Sequence, residues 1–141
     1  MASHNTSKED IIAFMATDFP QCDSIIDSVG NRCATMRHRI GPDELRPGGT
    51  VSGPVMMALA DVSLYVAILG EIGIVALAVT TSLNINFLRK PSADRDLIGE
   101  CRLIKVGKAL VVGDVYLYSE GDDRPVAHAV GTYSIPPARS A

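Results

Sequence analysis

A chain of 141 residues has the size of one domain and no room for a second full-sized one. Its apolar fraction of 47% and charged fraction of 21% exclude a disordered polyelectrolyte and supply enough material for a core. With 13 Lys+Arg against 16 Asp+Glu, the net charge of −3 argues against a protein held to nucleic acid by phosphate contacts.

Cys22, Cys33 and Cys101 are odd in number and far apart, and no CxxC pair occurs. Neither a zinc site nor a disulfide framework is expected, and a reducing, cytoplasmic compartment is favoured. The segment Met1 to Asp10 is polar and lacks the apolar core of a secretion signal. No metal and no membrane partner is expected.

In chain order, the first element is a short helix over about 7–19. Ser7 caps it, Ile11, Ile12, Phe14, Met15 and Phe19 form its apolar stripe, and Pro20 ends it. Residues 31–40 read as a first strand at a sheet edge. Residues 41–53 hold Pro42, Pro47, Gly48, Gly49 and Gly53 and read as a loop. Pro54 then suits a helix's first turn, and the central helix runs over about 54–69, stopped by Gly70 and Gly73. That helix is apolar on every side, so it must be wrapped by other elements. It is broken by Asp61 and Ser63 and is shorter than the roughly 20 apolar residues a bilayer requires.

Beyond the helix the composition shifts to Val, Thr and Ile. Strands are expected over 74–88, 97–106, 109–119 and 126–135, the last three as an antiparallel meander. Residues 136–141 read as a tail. Strands that follow one another without crossover helices indicate a single α+β domain over 1–141, with a sheet curled about the long helix.

Asp61 stands inside the most apolar stretch of the chain. A carboxylate in such a place needs a partner or a purpose. Two readings stand side by side: an Asp bonded to a neighbouring hydroxyl or backbone group, or a nucleophile or general base lining a cleft. Gly53 marks the helix entrance, where outward backbone N–H groups suit a developing oxyanion. Eight residues of helix separate the two by about 12 Å. A nucleophile and an oxyanion donor must each lie about 3 Å from one reacting group. One chain cannot satisfy this, whereas two antiparallel copies of the helix can, so a shared site implies at least a dimer.

The stretch Gly48-Gly49-Thr50-Val51-Ser52-Gly53-Pro54-Val55-Met56-Met57-Ala58-Leu59-Ala60-Asp61 resembles the central motif of hotdog-fold acyl-CoA thioesterases, in the phenylacetic-acid-degradation branch. Thr81 to Arg89, the Lys90-Pro91 turn, Gly107-Lys108 and the strand Ala127 to Tyr133 extend the resemblance over about 40–136. It implies a hotdog fold, a curved antiparallel sheet around the central helix, in homodimers that pair into tetramers. It also implies that Asp61 attacks a thioester or activates water, that the Gly53 N–H polarises the carbonyl across a dimer interface, and that Thr80 or Thr81 holds water.

Candidate substrate contacts are Arg46, Ser52, Met57, Tyr65, Asn84, Arg89, Lys90, Lys105 and Lys108. The acyl chain is expected in a slot near Met56, Met57 and Tyr65, and the nucleotide of coenzyme A near the four basic residues from Arg89 onward. No cofactor is needed beyond the coenzyme A carried by the substrate. Ser52 and Pro54 stand where the family has His and Gly, and Arg46 where relatives carry Asn or Gln. The alternative is a non-catalytic hotdog module that binds an acyl-CoA or another apolar ligand; a hotdog hydratase ranks third, because no His lies between Arg39 and Ala127.

Overall fold

The computed structural model describes residues 6–137, so residues 1–5 and the end of the expected tail, 138–141, lie outside the described residues. Helix α1, Lys8–Asp18, begins where Ser7 Oγ accepts the Asp10 N–H at 3.1 Å. A hairpin follows: β1 (Ile25–Gly30) and β2 (Cys33–His38). Next come β3 (Leu45–Arg46) and β4 (Thr50–Val51), then α2 (Gly53–Ile72). Four longer strands complete the chain: β5 (Val79–Phe87), β6 (Leu97–Val106), β7 (Leu110–Ser119) and β8 (Ala127–Ser134).

The main sheet is antiparallel with order β1-β2-β6-β7-β8-β5, and the expected meander is its β6-β7-β8 centre. Helix α2 lies in its concave face, giving the hotdog arrangement. The second half of α2 is buried continuously from Val62 to Glu71. By length and composition alone α2 would pass for a membrane span, but 72% of its apolar window is buried inside this fold. Helix and sheet approach closely where Gly113 and Gly131 pair across β7 and β8. A Cβ on Gly131 would lie 2.4 Å from Leu64 Cδ1, and one on Gly113 would lie 2.8 Å from Leu64 Cδ2.

Three expectations need correction. The edge strand is β1, not the strand within 31–40, which lies second in the sheet. The first was hidden because its partner is joined by a two-residue turn without glycine, Asn31–Arg32, in which Arg32 takes a left-handed φ of 57°. Gly70 does not stop α2. It is a buried position where a Cβ would meet Val29 Cγ1 at 2.5 Å, and the helix continues to Ile72 before Gly73, φ 99°, ends it. The strand expected from residue 74 starts only at Val79, because residues 74–78 form the turn that returns the chain from the helix end.

Candidate active site

The chain enters α2 through the small β3–β4 hairpin, whose turn uses Gly48 and Gly49 at φ 94° and 75°. Ser52 is the N-cap, and its Oγ accepts the Val55 N–H at 3.3 Å. The side chain expected to touch substrate therefore holds the helix start. Ser52 O takes the Met56 N–H, and Pro54 has no N–H. Among the described residues no acceptor is paired with the Gly53 N–H, the first donor of the helix.

Pro54, Met57 and Ala58 are exposed and Asp61 is half-buried, which marks one stripe along the first two turns of α2. Asp61 thus opens onto a cleft and is not sealed in the core. Its Oδ1 accepts Thr80 Oγ1 at 2.6 Å and the Tyr133 hydroxyl at 2.8 Å. No hydrogen bond reaches Oδ2 from the described residues. One oxygen is anchored by two hydroxyls and the other is left open to the cleft. Burial, then the charge of Asp61, push the Tyr133 phenol far above its ordinary pKa, so it stays a donor.

Thr80 reaches Asp61 because of a bulge. Thr80 pairs with Tyr133 and Ser82 with Thr132, which leaves Thr81 as the extra residue of β5. The bulge reverses the alternation, so Thr80 and Leu83 both face the helix. Thr81 Oγ1 instead donates to Thr132 O at 3.3 Å. Of the two threonines left open by the sequence, Thr80 is the one on the carboxylate.

The Asp61 cleft has a volume of about 490 Å³ and is walled by Phe14, Phe19, Tyr65, Val79, Thr80 and Tyr133, among others. Tyr65 stacks on Tyr133 with ring centroids 6.1 Å apart and packs against Phe14 and Phe19. A separate groove of about 400 Å³ holds Gly53, Met56, Phe87, Arg46, Arg89 and Lys90. The two share no residue, so within one chain Asp61 and Gly53 do not face a common point. Met56 and Tyr65 lie in different concavities, and Met57 is exposed, which breaks up the expected acyl slot.

The four basic residues also divide. Arg89 and Lys90 follow the end of β5, beside the start of β6. Lys105 and Lys108 belong to the β6–β7 hairpin, at the opposite end of the same sheet. Asn84 is exposed on the outer face of β5, opposite Val130, and away from Asp61.

Two features escaped the sequence reading. Tyr133 is one; nothing in its spacing from Asp61 signals the contact. The other is a cluster on His38, with Ser24 Oγ 3.0 Å and Asp23 3.6 Å from Nδ1 and Glu44 3.4 Å from Nε2. Asp23, His38 and Glu44 are the one group among the described residues with the makeup of a metal site. Their carboxylates approach different ring nitrogens, and one ion can take only one of those nitrogens.

Fold and motif agree with the comparisons. The family model of the thioesterase superfamily matches residues 48–126, and the chain belongs to that superfamily. It is 49% identical to a candidate thioesterase from Silicibacter sp. TM1040, over 93% of this chain and 92% of that one, with a TM-score of 0.86. The PaaI protein of the E. coli phenylacetic acid degradation operon shares the fold at 21% identity, TM-score 0.83, over 98% of both chains. A hypothetical thioesterase with coenzyme A from Streptococcus pneumoniae TIGR4 does so at 19% identity, TM-score 0.73, over 84% of this chain and 89% of that one. No curated protein matches the chain.

Proposed function

We propose that this member of the thioesterase superfamily is a cytoplasmic enzyme that hydrolyses an acyl-CoA thioester in a site shared by two antiparallel copies. The observation that carries the reading is the division of acid and helix tip between two clefts joined end to end by one free strand. Strand β5 is a sheet edge, with Val79 54% and Phe87 50% exposed. Val79 and Thr80 border the Asp61 cleft, and Phe87 borders the Gly53 groove. An antiparallel copy paired about Leu83 sets Val79 opposite Phe87 of the second copy and Thr80 opposite Asn86. Each Asp61 cleft then meets the other copy's Gly53 groove, which gives two equivalent sites about a two-fold axis.

In that dimer, the second copy's Arg89 and Lys90 arrive at the sheet end that already carries Lys105 and Lys108. The basic residues divided within one chain share an end of the paired sheet, and with Arg46 they suit the phosphates of coenzyme A. Such dimers are expected to pair further into tetramers.

The thioester carbonyl oxygen accepts the Gly53 N–H. Asp61 Oδ2 removes a proton from water, and the water oxygen bonds to the acyl carbon. The carbon–sulfur bond breaks with its electron pair on sulfur. The proton held by Asp61 passes to that thiolate, releasing the free acid and the coenzyme A thiol. Direct attack by Oδ2, followed by hydrolysis of the resulting anhydride, uses the same atom. Label found in Asp61 after a single turnover in ¹⁸O-water identifies direct attack with the anhydride opened at the Asp61 carbonyl, an outcome the water route cannot give.

Subunit complementation tests the reading. Asp61→Asn removes the base. Gly53→Pro deletes the N–H; Ser52 at ψ 148° accommodates the new ring, and circular dichroism checks that the helix start survives the resulting Pro-Pro pair. Each variant alone should be nearly inactive on a panel of acyl-CoAs, and a mixture reassembled from both should regain activity through mixed dimers with one intact site. Mixed dimers without activity would show that acid and helix tip serve different sites, and binding of the acyl-CoAs without turnover by the wild type would favour a binding module.

A further inference from the structure

We propose that the His38 cluster reads the far end of the acyl group, and that it selects acyl groups ending in a hydrogen-bond donor, a hydroxyl or an ammonium, over those ending in a carboxylate. This rests on the thioesterase reading for the identity of the ligand.

The Asp61 cleft does not end at its aromatic wall. A second concavity, of about 390 Å³, adjoins it and shares Phe19, Gln21, Ala58 and Val62 with it. The shared surface is mostly apolar, and at its far side lie Asp23, Ser24, His38 and Glu44. Measured along α2, the step from Asp61 back to Val55, which borders the cluster, is six residues or about 9 Å. An acyl body of that length places its tip on the cluster while its carbonyl stays at Asp61.

The cluster is built rather than incidental. His38 is 8% exposed. Glu44 is fixed by the Gly41 N–H, which bonds its Oε1 at 2.7 Å and leaves Oε2 turned to His38 Nε2 at 3.4 Å. Both sit on short, well-defined elements, the end of β2 and the turn before β3. The charge around the channel has one sign. Asp18 borders the first cleft, Asp23 and Glu44 the second, and no Lys or Arg lines either. A terminal carboxylate brought here meets like charges without a guanidinium or ammonium to offset them, whereas a donor finds Glu44 Oε2. Arg46, Arg89 and Lys90 lie instead by the Gly53 groove, at the nucleotide end of the substrate.

The test uses four CoA thioesters of one length: hexanoyl, 6-hydroxyhexanoyl, 6-aminohexanoyl and adipoyl. Their binding to full-length Asp61→Asn protein is measured by calorimetry, so that affinity is read without turnover. The hydroxy and amino thioesters should bind at least about tenfold more tightly than adipoyl-CoA, the scale on which an unpaired or repelled polar group is rejected. Adding Glu44→Gln, or Asp23→Asn as a surface alternative should the first fail to fold, should shrink the amino-to-adipoyl ratio several-fold. Equal affinities, tighter adipoyl binding, or a ratio unmoved by both substitutions would overturn the proposal. Wild-type turnover of hexanoyl-CoA, measured in parallel, judges the thioesterase reading separately.

Discussion

The hydroxyl of Tyr133 lies 2.8 Å from Asp61 Oδ1, although 72 positions separate the two residues. Together with Thr80 at 2.6 Å it fixes one carboxylate oxygen and leaves the other to the cleft. A carboxylate held in this way acts from a set position, so its supports should matter to the rate more than to substrate affinity. Tyr133→Phe and Thr80→Val should each lower kcat about tenfold with KM little changed, and the double variant should lose less than the product, because both act on one oxygen. Steady-state kinetics on the best thioester checks this. A rise in KM alone would assign the two hydroxyls to substrate binding.

Asp61 itself is the stronger test of chemistry. Asp61→Asn keeps the shape and can still accept the two hydroxyl bonds through its amide oxygen, so the fold should persist by circular dichroism and melting temperature. Turnover should fall at least about 100-fold, the usual scale for losing a positioned base. Near wild-type turnover would remove Asp61 from the mechanism.

The free edge of β5 carries the dimer argument. Asn84 lies on that edge, exposed and clear of the Asp61 cleft. In a pairing about Leu83, Asn84→Lys brings two new like charges close together on one face of the joined strands. Sedimentation should show a shift towards monomer, and turnover should fall in parallel with the dimer fraction as the protein is diluted. A monomer with full activity would overturn the shared site.

The close packing of α2 on the sheet has its own consequence. Leu64 is fully buried and lies against the paired glycines of β7 and β8. Gly131→Ala inserts a methyl 2.4 Å from Leu64 Cδ1 and 3.2 Å from Leu83 Cδ1, so side chains packed against the core must shift. Overpacking of this kind costs about 1–3 kcal/mol, which calorimetry should record as a melting temperature lower by several degrees.

Much of this architecture is legible in local pattern. The apolar circumference of α2 requires a wrapping sheet, and β6, β7 and β8 are bounded by polar or glycine turns at nearly their observed limits. Asp61 is conspicuous because a carboxylate in apolar surroundings conflicts with packing. What stayed hidden depends on register or on distant pairing. The bulge at Thr81 decides whether Thr80 or Thr81 meets the carboxylate, and simple alternation along β5 points the wrong way. Gly70 carries the residue type of a helix stop but is a packing glycine under Val29. The division of Arg89 and Lys90 from Lys105 and Lys108 follows from β6 running the length of the sheet between them, which proximity in sequence conceals.

Tyr133 also predicts how stability responds to alkali. Its folded pKa is raised, first by burial and then by the Asp61 charge, above the value of about 10 for an unfolded tyrosine. Below that value both states hold the proton, and its contribution to stability is fully present. As pH climbs past it, the unfolded chain releases the proton first while the native state keeps it, so the unfolded state binds fewer protons and unfolding becomes easier. The slope approaches about 1.4 kcal/mol per pH unit for one proton. Tyr65 and Tyr118 are raised as well and add to the wild-type decline, so the comparison with Tyr133→Phe isolates the single group. Urea unfolding between neutral pH and pH 11 should show the variant losing stability less steeply above about pH 10. Parallel curves for the two proteins would mean that the Tyr133 hydroxyl titrates as if exposed, and that the contact with Asp61 is not formed in solution.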